Sequence, residues 1–139
     1  MLIDYLGGMK LIARHQGFEV VCDQPEDWGG ENSAMTPTQL FVASFAMCVG
    51  TYVLIFAKRH DLAVEGMKIE TEYQMAQDPY RVGAIQVKVV MPAPVSDEHR
   101  AALQRAAEGC VVHNAFHDPP ETSIVVDLTA EALRRRGDE

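Results

Sequence analysis

The stretch from Leu40 to Ala57 contains no charged residue, and it constrains the fold more than any other part of the chain. Just before it, Thr36 and Gln39 have the spacing of a capping box, in which each side chain satisfies the other residue's free backbone N–H. Just after it, Lys58 and Arg59 place positive charge at the negative end of a helix dipole. We therefore predict a helix from Thr36 to His60 that is apolar, and hence buried, on all sides.

A membrane span is the alternative interpretation of this stretch, because about 18 uncharged residues is the lower limit for crossing a bilayer. Small and polar residues occur within the stretch, however, and the remaining chain reads as a soluble domain. With 139 residues, 47% of them hydrophobic, the chain can bury a substantial core. We predict one domain over residues 1–139 and no contact with a membrane.

The charge balance excludes some classes of partner. A formal net charge of −8 gives no electrostatic attraction to nucleic acid or to an anionic membrane surface. The first residues, MLIDYLGG, lack the basic region and the long apolar run of a signal peptide. We therefore expect a cytoplasmic protein that binds no nucleic acid.

Alternating and turn-forming residues predict the other elements of the chain. These are a hairpin over Gly7–Cys22, a loop over Asp23–Met35, strands over Gly66–Ala76, Ala84–Met91 and Thr122–Leu128, a helix from Ser96 to Gly109, a helical turn after Cys110, and a charged tail over Leu128–Glu139. Their order predicts an α+β fold in which an antiparallel sheet packs on two central helices. One sheet covers only one side of an apolar helix, so we expect a second copy of the chain to cover the rest, as a homodimer.

The three cysteines, Cys22, Cys48 and Cys110, are the residues with the most reactive chemistry. Their odd number in a reducing compartment argues against a structural disulfide framework. Cys48 and Cys110 lie on or just beyond two helices that should pack together, within reach of a disulfide. The alternative is that Cys48 is a small core residue, which is the usual role of a buried cysteine; Cys22 is expected to be packing.

A reactive thiolate needs a nearby cation or a helix N-terminus. Cys48 is about 17 Å along its helix from Pro37, so the helix dipole gives it little help. Lys10 and Arg14 in the first hairpin are the candidate cations, although a strand-face Lys or Arg is usually solvated. Cys110, His113 and His117 have a helical spacing that could bind a metal, but no fourth ligand is evident, and we expect no metal.

Two segments resemble a known family: GGENSAMTPTQLFVASFAMC, and, about sixty residues later, an Ala-rich helix that runs into CVVHNAF. Together with DPYRVGAIQVKVVMP, they resemble the osmotically inducible protein C and organic hydroperoxide resistance (OsmC/Ohr) family. The resemblance implies an intertwined homodimer with two sites at the interface. It also implies that Cys48 attacks an organic hydroperoxide and becomes a sulfenic acid, that Cys110 resolves it as a disulfide, and that a dithiol such as dihydrolipoamide reduces the disulfide.

The chain departs from the family pattern at two places. Thr38 stands where members with well-formed peroxidase sites carry a Glu, ten residues before the first cysteine. Met9 and Lys10 follow the first Gly-Gly pair, where those members carry an Arg, and Arg14 comes further on. The missing carboxylate would hold the Arg over the thiolate, so the activating arrangement must differ here.

These observations favour a thiol-dependent peroxidase that reduces organic hydroperoxides without a cofactor. Two alternatives remain. One is a non-catalytic dimeric protein that binds a small apolar ligand, which Thr38 and Met9 favour. The other is a thiol-based redox sensor, which the cysteine pair also permits.

Overall fold

A computed structural model describes residues 1–127, which form five strands, three α-helices and one turn of 3₁₀ helix over Glu26–Trp28. The strands are β1 (Leu2–Gly7), β2 (Lys10–His15), β3 (Phe18–Cys22), β4 (Lys68–Gln77) and β5 (Tyr80–Val90), and the helices are α1 (Pro37–Arg59), α2 (Asp97–Glu108) and α3 (Val111–His117). All strand pairs are antiparallel. The α+β prediction is therefore confirmed. The predicted tail lies outside the described residues.

Helix α1 begins and ends as the sequence predicts. Gln39 N–H donates to Thr36 Oγ1 at 3.2 Å, and Thr36 N–H donates to Gln39 Oε1 at 2.8 Å, so the capping box is complete. The buried residues recur every three or four positions along one side of the helix. They are Val42, Phe45, Ala46, Val49, Gly50, Val53 and Ala57.

The opposite side of α1 is uncovered in a single chain, and the prediction that a second copy covers it stays a prediction. Met47, Thr51 and Ile55 lie four residues apart and form an exposed stripe. By length and composition alone the helix could cross a bilayer, and 39% of its most apolar 18-residue stretch is buried. The helix nevertheless packs on α2, α3, β4 and β5, as the central helix of a soluble domain does.

Strands β1, β2 and β3 form one sheet at the N-terminus. The predicted hairpin over Gly7–Cys22 is confirmed in β2 and β3. Strand β1 was not predicted, because the short segment before Gly7 does not alternate cleanly between polar and apolar residues. Gly7 and Gly8 both have positive φ and turn the chain from β1 into β2.

The loop between β3 and α1 is organised by Asp23, which is fully buried. Its carboxylate accepts hydrogen bonds from the backbone N–H groups of Gln24, Glu31 and Ser33 and from the Ser33 hydroxyl. These bonds hold its pKa down at about 2, the Ser33 backbone and hydroxyl contributing most. Gly30 is required beside it, because a Cβ there would lie 1.9 Å from the carbonyl oxygen of Gln24.

Strands β4 and β5 form a second sheet, whose inner face packs on α1. The predicted inward residues Ile85, Val87 and Val89 pack in the core around α1, which confirms the alternation. Lys88 and Glu70, on the opposite face, form an ion pair at 2.8 Å. The sheet therefore has one apolar and one polar face.

Helix α2 begins at the predicted cap, since His99 N–H donates to Ser96 Oγ at 3.2 Å. It ends at Gly109, and Leu103 packs against Val53 and Ala57 of α1. Cys110 follows directly and begins α3, which is the helical turn that the sequence predicts.

The predicted last strand, Thr122–Leu128, is wrong for the residues that the structure describes, because residues 118–127 form no strand. Ile124, Val125 and Val126 are between 79% and 92% exposed. The composition of this segment suits a strand, but a strand also needs a sheet edge with which to pair. Within residues 1–127, this segment pairs with none of the free edges of the two sheets.

Candidate thiol site

Cys48 lies near the middle of α1, between the buried residues Phe45 and Val49. Its side chain is half-buried and packs against the core cluster of Phe45, Val49 and Cys110. Tyr52, one turn further along, packs against the same cluster. Ser44, one turn earlier, donates its hydroxyl to the carbonyl of Phe41 at 2.8 Å. The position of Cys48 is thus fixed by a capped, packed helix.

Cys110 is fully buried at the junction of α2 and α3. Gly109 N–H donates to the carbonyl of Arg105 at 3.0 Å and Cys110 N–H to that of Ala107 at 3.2 Å, which closes α2. Asn114 N–H then donates to the carbonyl of Cys110 at 2.9 Å, which opens α3. Cys110 is therefore held at both ends by helix hydrogen bonds, and its side chain is directed into the core.

The two cysteines lie beside each other as free thiols, not at the distance of a disulfide. Burial raises the pKa of Cys110 above its usual range, and a hydrogen bond to Cys48 raises this pKa further. The backbone N–H groups of His113 and Val112 act in the opposite direction. A thiol with a raised pKa remains protonated at neutral pH, so the Cys110 S–H can donate to the sulfur of Cys48.

Lys10 and Arg14 lie on β2, in the N-terminal sheet, and each pairs with carboxylates of its own region. Lys10 Nζ is 2.5 Å from Glu31, in the loop that Asp23 organises. Arg14 binds Asp4 at 2.6 Å and Glu19 at 2.8 Å. These pairs raise the pKa of both cations. The structure brings Cys48 and Cys110 together; neither cation reaches them through a described ion pair or hydrogen bond.

An apolar pocket of about 390 Å³ opens beside the cysteine pair. Phe45 and Ile85 belong both to its wall and to the cluster that contains Cys110. The phenylalanines meet edge to face, with ring centroids 5.0 Å apart for Phe45 and Phe116 and 5.8 Å apart for Phe41 and Phe116. Phe41 and Phe116 were not predicted as functional residues, because apolar spacing alone does not distinguish a pocket wall from a packed core.

The spacing of Cys110, His113 and His117 does not produce a three-ligand metal site. Cys110 precedes α3 and points into the core, whereas both histidines line the pocket. No group of three His, Cys, Asp or Glu side chains among residues 1–127 is arranged to hold a metal ion. Cys110 is not on the same helical face as the two histidines, because the helix begins only after Cys110.

Comparisons with known proteins agree with this geometry. The sequence model of the OsmC-like protein family matches residues 30–125, which include both Cys48 and Cys110. No curated protein matches the chain.

Solved structures with the same fold include three informative relatives. A protein described as an osmotic stress induced and detoxification response protein, from Psychrobacter arcticus, is 27% identical with a TM-score of 0.77, over 82% of this chain and 85% of the other. An organic hydroperoxide resistance protein OsmC from Legionella pneumophila is 22% identical with a TM-score of 0.63, over 83% and 87%. An OsmC-like protein from Mycoplasma pneumoniae is 14% identical with a TM-score of 0.66, over 86% and 87%. The chain belongs to the OsmC-like protein family.

Proposed function

We propose that this protein is a thiol-dependent peroxidase that reduces organic hydroperoxides through Cys48 and Cys110. The observation that supports this most directly is the contact between a half-buried Cys48 and a buried Cys110 whose pKa is raised, beside an apolar pocket. The family includes hydroperoxide resistance proteins, such as the Legionella relative. The pocket walls suit an apolar substrate, because they are mostly aromatic and aliphatic.

In the proposed reaction, the Cys48 thiolate attacks the terminal oxygen of the hydroperoxide. The O–O bond breaks, the alkoxide leaves and takes a proton to become an alcohol, and Cys48 becomes a sulfenic acid. Cys110 then attacks the Cys48 sulfur, and the hydroxyl group leaves as water when the disulfide forms. A dithiol such as dihydrolipoamide restores both thiols by two exchange steps and is itself oxidised to a disulfide.

The raised pKa of Cys110 supports this division of roles. A thiol that remains protonated is a weak nucleophile, so Cys110 is suited to act second and Cys48 first. Since the cysteines are not at disulfide distance, the resolving step requires Cys110 to shift. The short helix α3 follows directly after Cys110, and its movement would permit that shift.

We further propose that the active form is a homodimer in the cytoplasm. In one chain the exposed stripe of α1 and the N-terminal sheet both leave apolar side chains uncovered. A second copy would cover these surfaces and could bring Lys10 or Arg14 to the partner's Cys48. Lys10→Met and Arg14→Met each keep an unbranched apolar stem. The cation that activates the thiol is the one whose substitution slows the oxidation of Cys48 at neutral pH.

A non-catalytic ligand-binding protein is the second candidate. Thr38, in the first turn of α1, replaces the family carboxylate, and no described ion pair or hydrogen bond joins a cation to Cys48. In that case the protein would bind a small apolar ligand in the pocket without reacting with it.

Thiol counting after one equivalent of cumene hydroperoxide separates the two candidates. The wild type should lose two thiols per chain and regain them with dihydrolipoamide. Cys48→Ser should lose none, while Cys110→Ser should lose one and stop after a single round, with Cys48 trapped as a sulfenic acid. The matched control is Cys22→Ala, which should still lose two thiols because Cys22 lies in β3, away from the pair. Equal peroxide consumption by wild type and Cys48→Ser would favour the binding protein.

A further inference from the structure

The two histidines of α3 form a pair that lines the proposed substrate pocket but takes part in none of the chemical steps of the proposed reaction. His113 and His117 lie four residues apart, so one helical turn brings their rings to the same side. The ring centroids are 4.8 Å apart, and the two Nε2 atoms are 3.4 Å apart. Both side chains line the aromatic pocket beside the cysteine pair.

A hydrogen bond at the far side of one ring determines which nitrogen is free. His113 Nδ1 lies 2.9 Å from the carbonyl oxygen of Glu108. A carbonyl only accepts, so Nδ1 of His113 carries a proton, and the neutral ring has its lone pair on Nε2. In the metal-free chain His117 Nε2–H donates to that lone pair, so a cation would replace this hydrogen bond and the proton of His117 would lie on its Nδ1. Metal-binding histidines usually donate their second N–H to a carbonyl or carboxylate in this way, which fixes the ring and makes the ligating nitrogen more basic.

The separation of the two Nε2 atoms matches a shared cation. Zinc binds histidine nitrogen at about 2.0–2.1 Å. Two such bonds to atoms 3.4 Å apart enclose an N–Zn–N angle of about 110°, which is close to the tetrahedral value. Stacking of Phe45 on His113, with ring centroids 5.9 Å apart, further restrains the ring orientation.

We propose that His113 and His117 bind a borderline divalent cation such as Zn²⁺ through their Nε2 atoms. Imidazole is a preferred ligand of Zn²⁺, Ni²⁺ and Cu²⁺, whereas Mg²⁺ and Ca²⁺ require oxygen ligands. No third protein ligand lies near the pair within residues 1–127, so water completes the coordination. A cation held across one turn of α3 fixes the seven-residue helix that follows Cys110.

Calorimetric titration of the full-length protein with Zn²⁺ tests the site, with the thiols kept reduced by a phosphine that does not bind zinc. The wild type should bind one Zn²⁺ per chain. His117→Gln and His113→Gln should each weaken binding by at least about tenfold, because each removes one of two ligands. Zn²⁺ should also shift the ring proton resonances of both histidines in the wild type and raise its Tm, since it binds the folded chain.

Two control variants show whether another group is the ligand. His99 belongs to a second histidine pair, with His60, whose ring centroids are 5.6 Å apart, so His99→Gln removes one histidine and leaves α3 intact. Cys110→Ser removes the buried thiol. Both should keep the wild-type affinity. Equal Zn²⁺ affinity in wild type and His117→Gln overturns the proposal, and so does a loss in either control as large as that in His117→Gln. The result does not depend on peroxide turnover.

Discussion

The N-terminal sheet and the core around α1 use similar residue types and reach very different burial. In the core, Val53, Ala57 and Leu103 are at most 7% exposed, because α1, α2 and the second sheet enclose them. In the N-terminal sheet, the strands pack chiefly on one another, and no helix within residues 1–127 forms a comparable interface with them. The same hydrophobic content therefore produces a closed core in one region and an open surface in the other.

The open surface is concentrated on one face of the N-terminal sheet. The strand register places Ile3, Tyr5, Leu11 and Val20 on that face, and they are 39% to 70% exposed. The opposite face carries the ion pairs of Arg14 with Asp4 and Glu19. That face is mixed, because Leu2, Ile12 and Val21 lie on it beside these ion pairs. An exposed apolar sheet face such as the first one suits packing against another surface. This contrast supports the proposal that a second copy covers it.

The largest effect expected is the loss of the dimer in Val20→Glu. In a lone chain the new carboxylate would be half-exposed and change little, whereas on a covered face it would be a buried unpaired charge. We expect the wild type to sediment as a dimer at low micromolar concentration and Val20→Glu as a monomer without peroxidase activity.

Glu19→Gln is the matched control, because Glu19 neighbours Val20 on the opposite face of β3. It should remain dimeric. A wild type that sediments as a folded monomer would mean that the apolar face has no cover from a second copy.

A smaller effect, on stability alone, is expected inside the closed core. Leu103→Ala removes a buried side chain between α1 and α2 and leaves a cavity, which should lower the free energy of unfolding by about 2–5 kcal/mol. Urea denaturation measures this loss. Gln104→Ala, on the exposed side of the same helix, should cost about 0.5 kcal/mol or less. Similar losses for both variants would show that the core is not closed as described.

The smallest effect is expected in the loop between the two regions. The pKa of Asp23 falls from 3.8 to about 2 on folding, so the folded state favours the ionised form. Its stabilising contribution is complete above about pH 4 and is lost as the pH falls toward 2. Asp23→Asn should therefore be less stable at pH 7 and should vary less with pH between 4 and 2, as monitored by thermal unfolding.

Asp27→Asn is the control for that prediction, since Asp27 is an exposed carboxylate in the same loop. It should retain the wild-type pH profile between 4 and 2. A steep profile that persists in Asp23→Asn would assign the acid sensitivity to other carboxylates.

The sequence by itself determined the elements whose signals are local. The capping box at Thr36, the hairpin turn at Gly17, the alternation of β4 and β5, and the end of α2 at Gly109 depend on neighbouring residues, and each is present in the structure. The positions of Cys48 and Cys110, on and just beyond two helices expected to pack together, likewise indicated their proximity, and the two residues do pack together.

Tertiary structure decided everything that depends on residues distant in the sequence. Three features depend on which distant segments meet in the folded chain: the side of α1 that is buried, the failure of residues 122–127 to form a strand, and the carboxylates that pair with Lys10 and Arg14. The separation of Cys110 from His113 and His117 follows from where α3 begins. Local patterns specify hydrogen bonds between near neighbours, whereas burial and pairing are fixed only when distant segments meet.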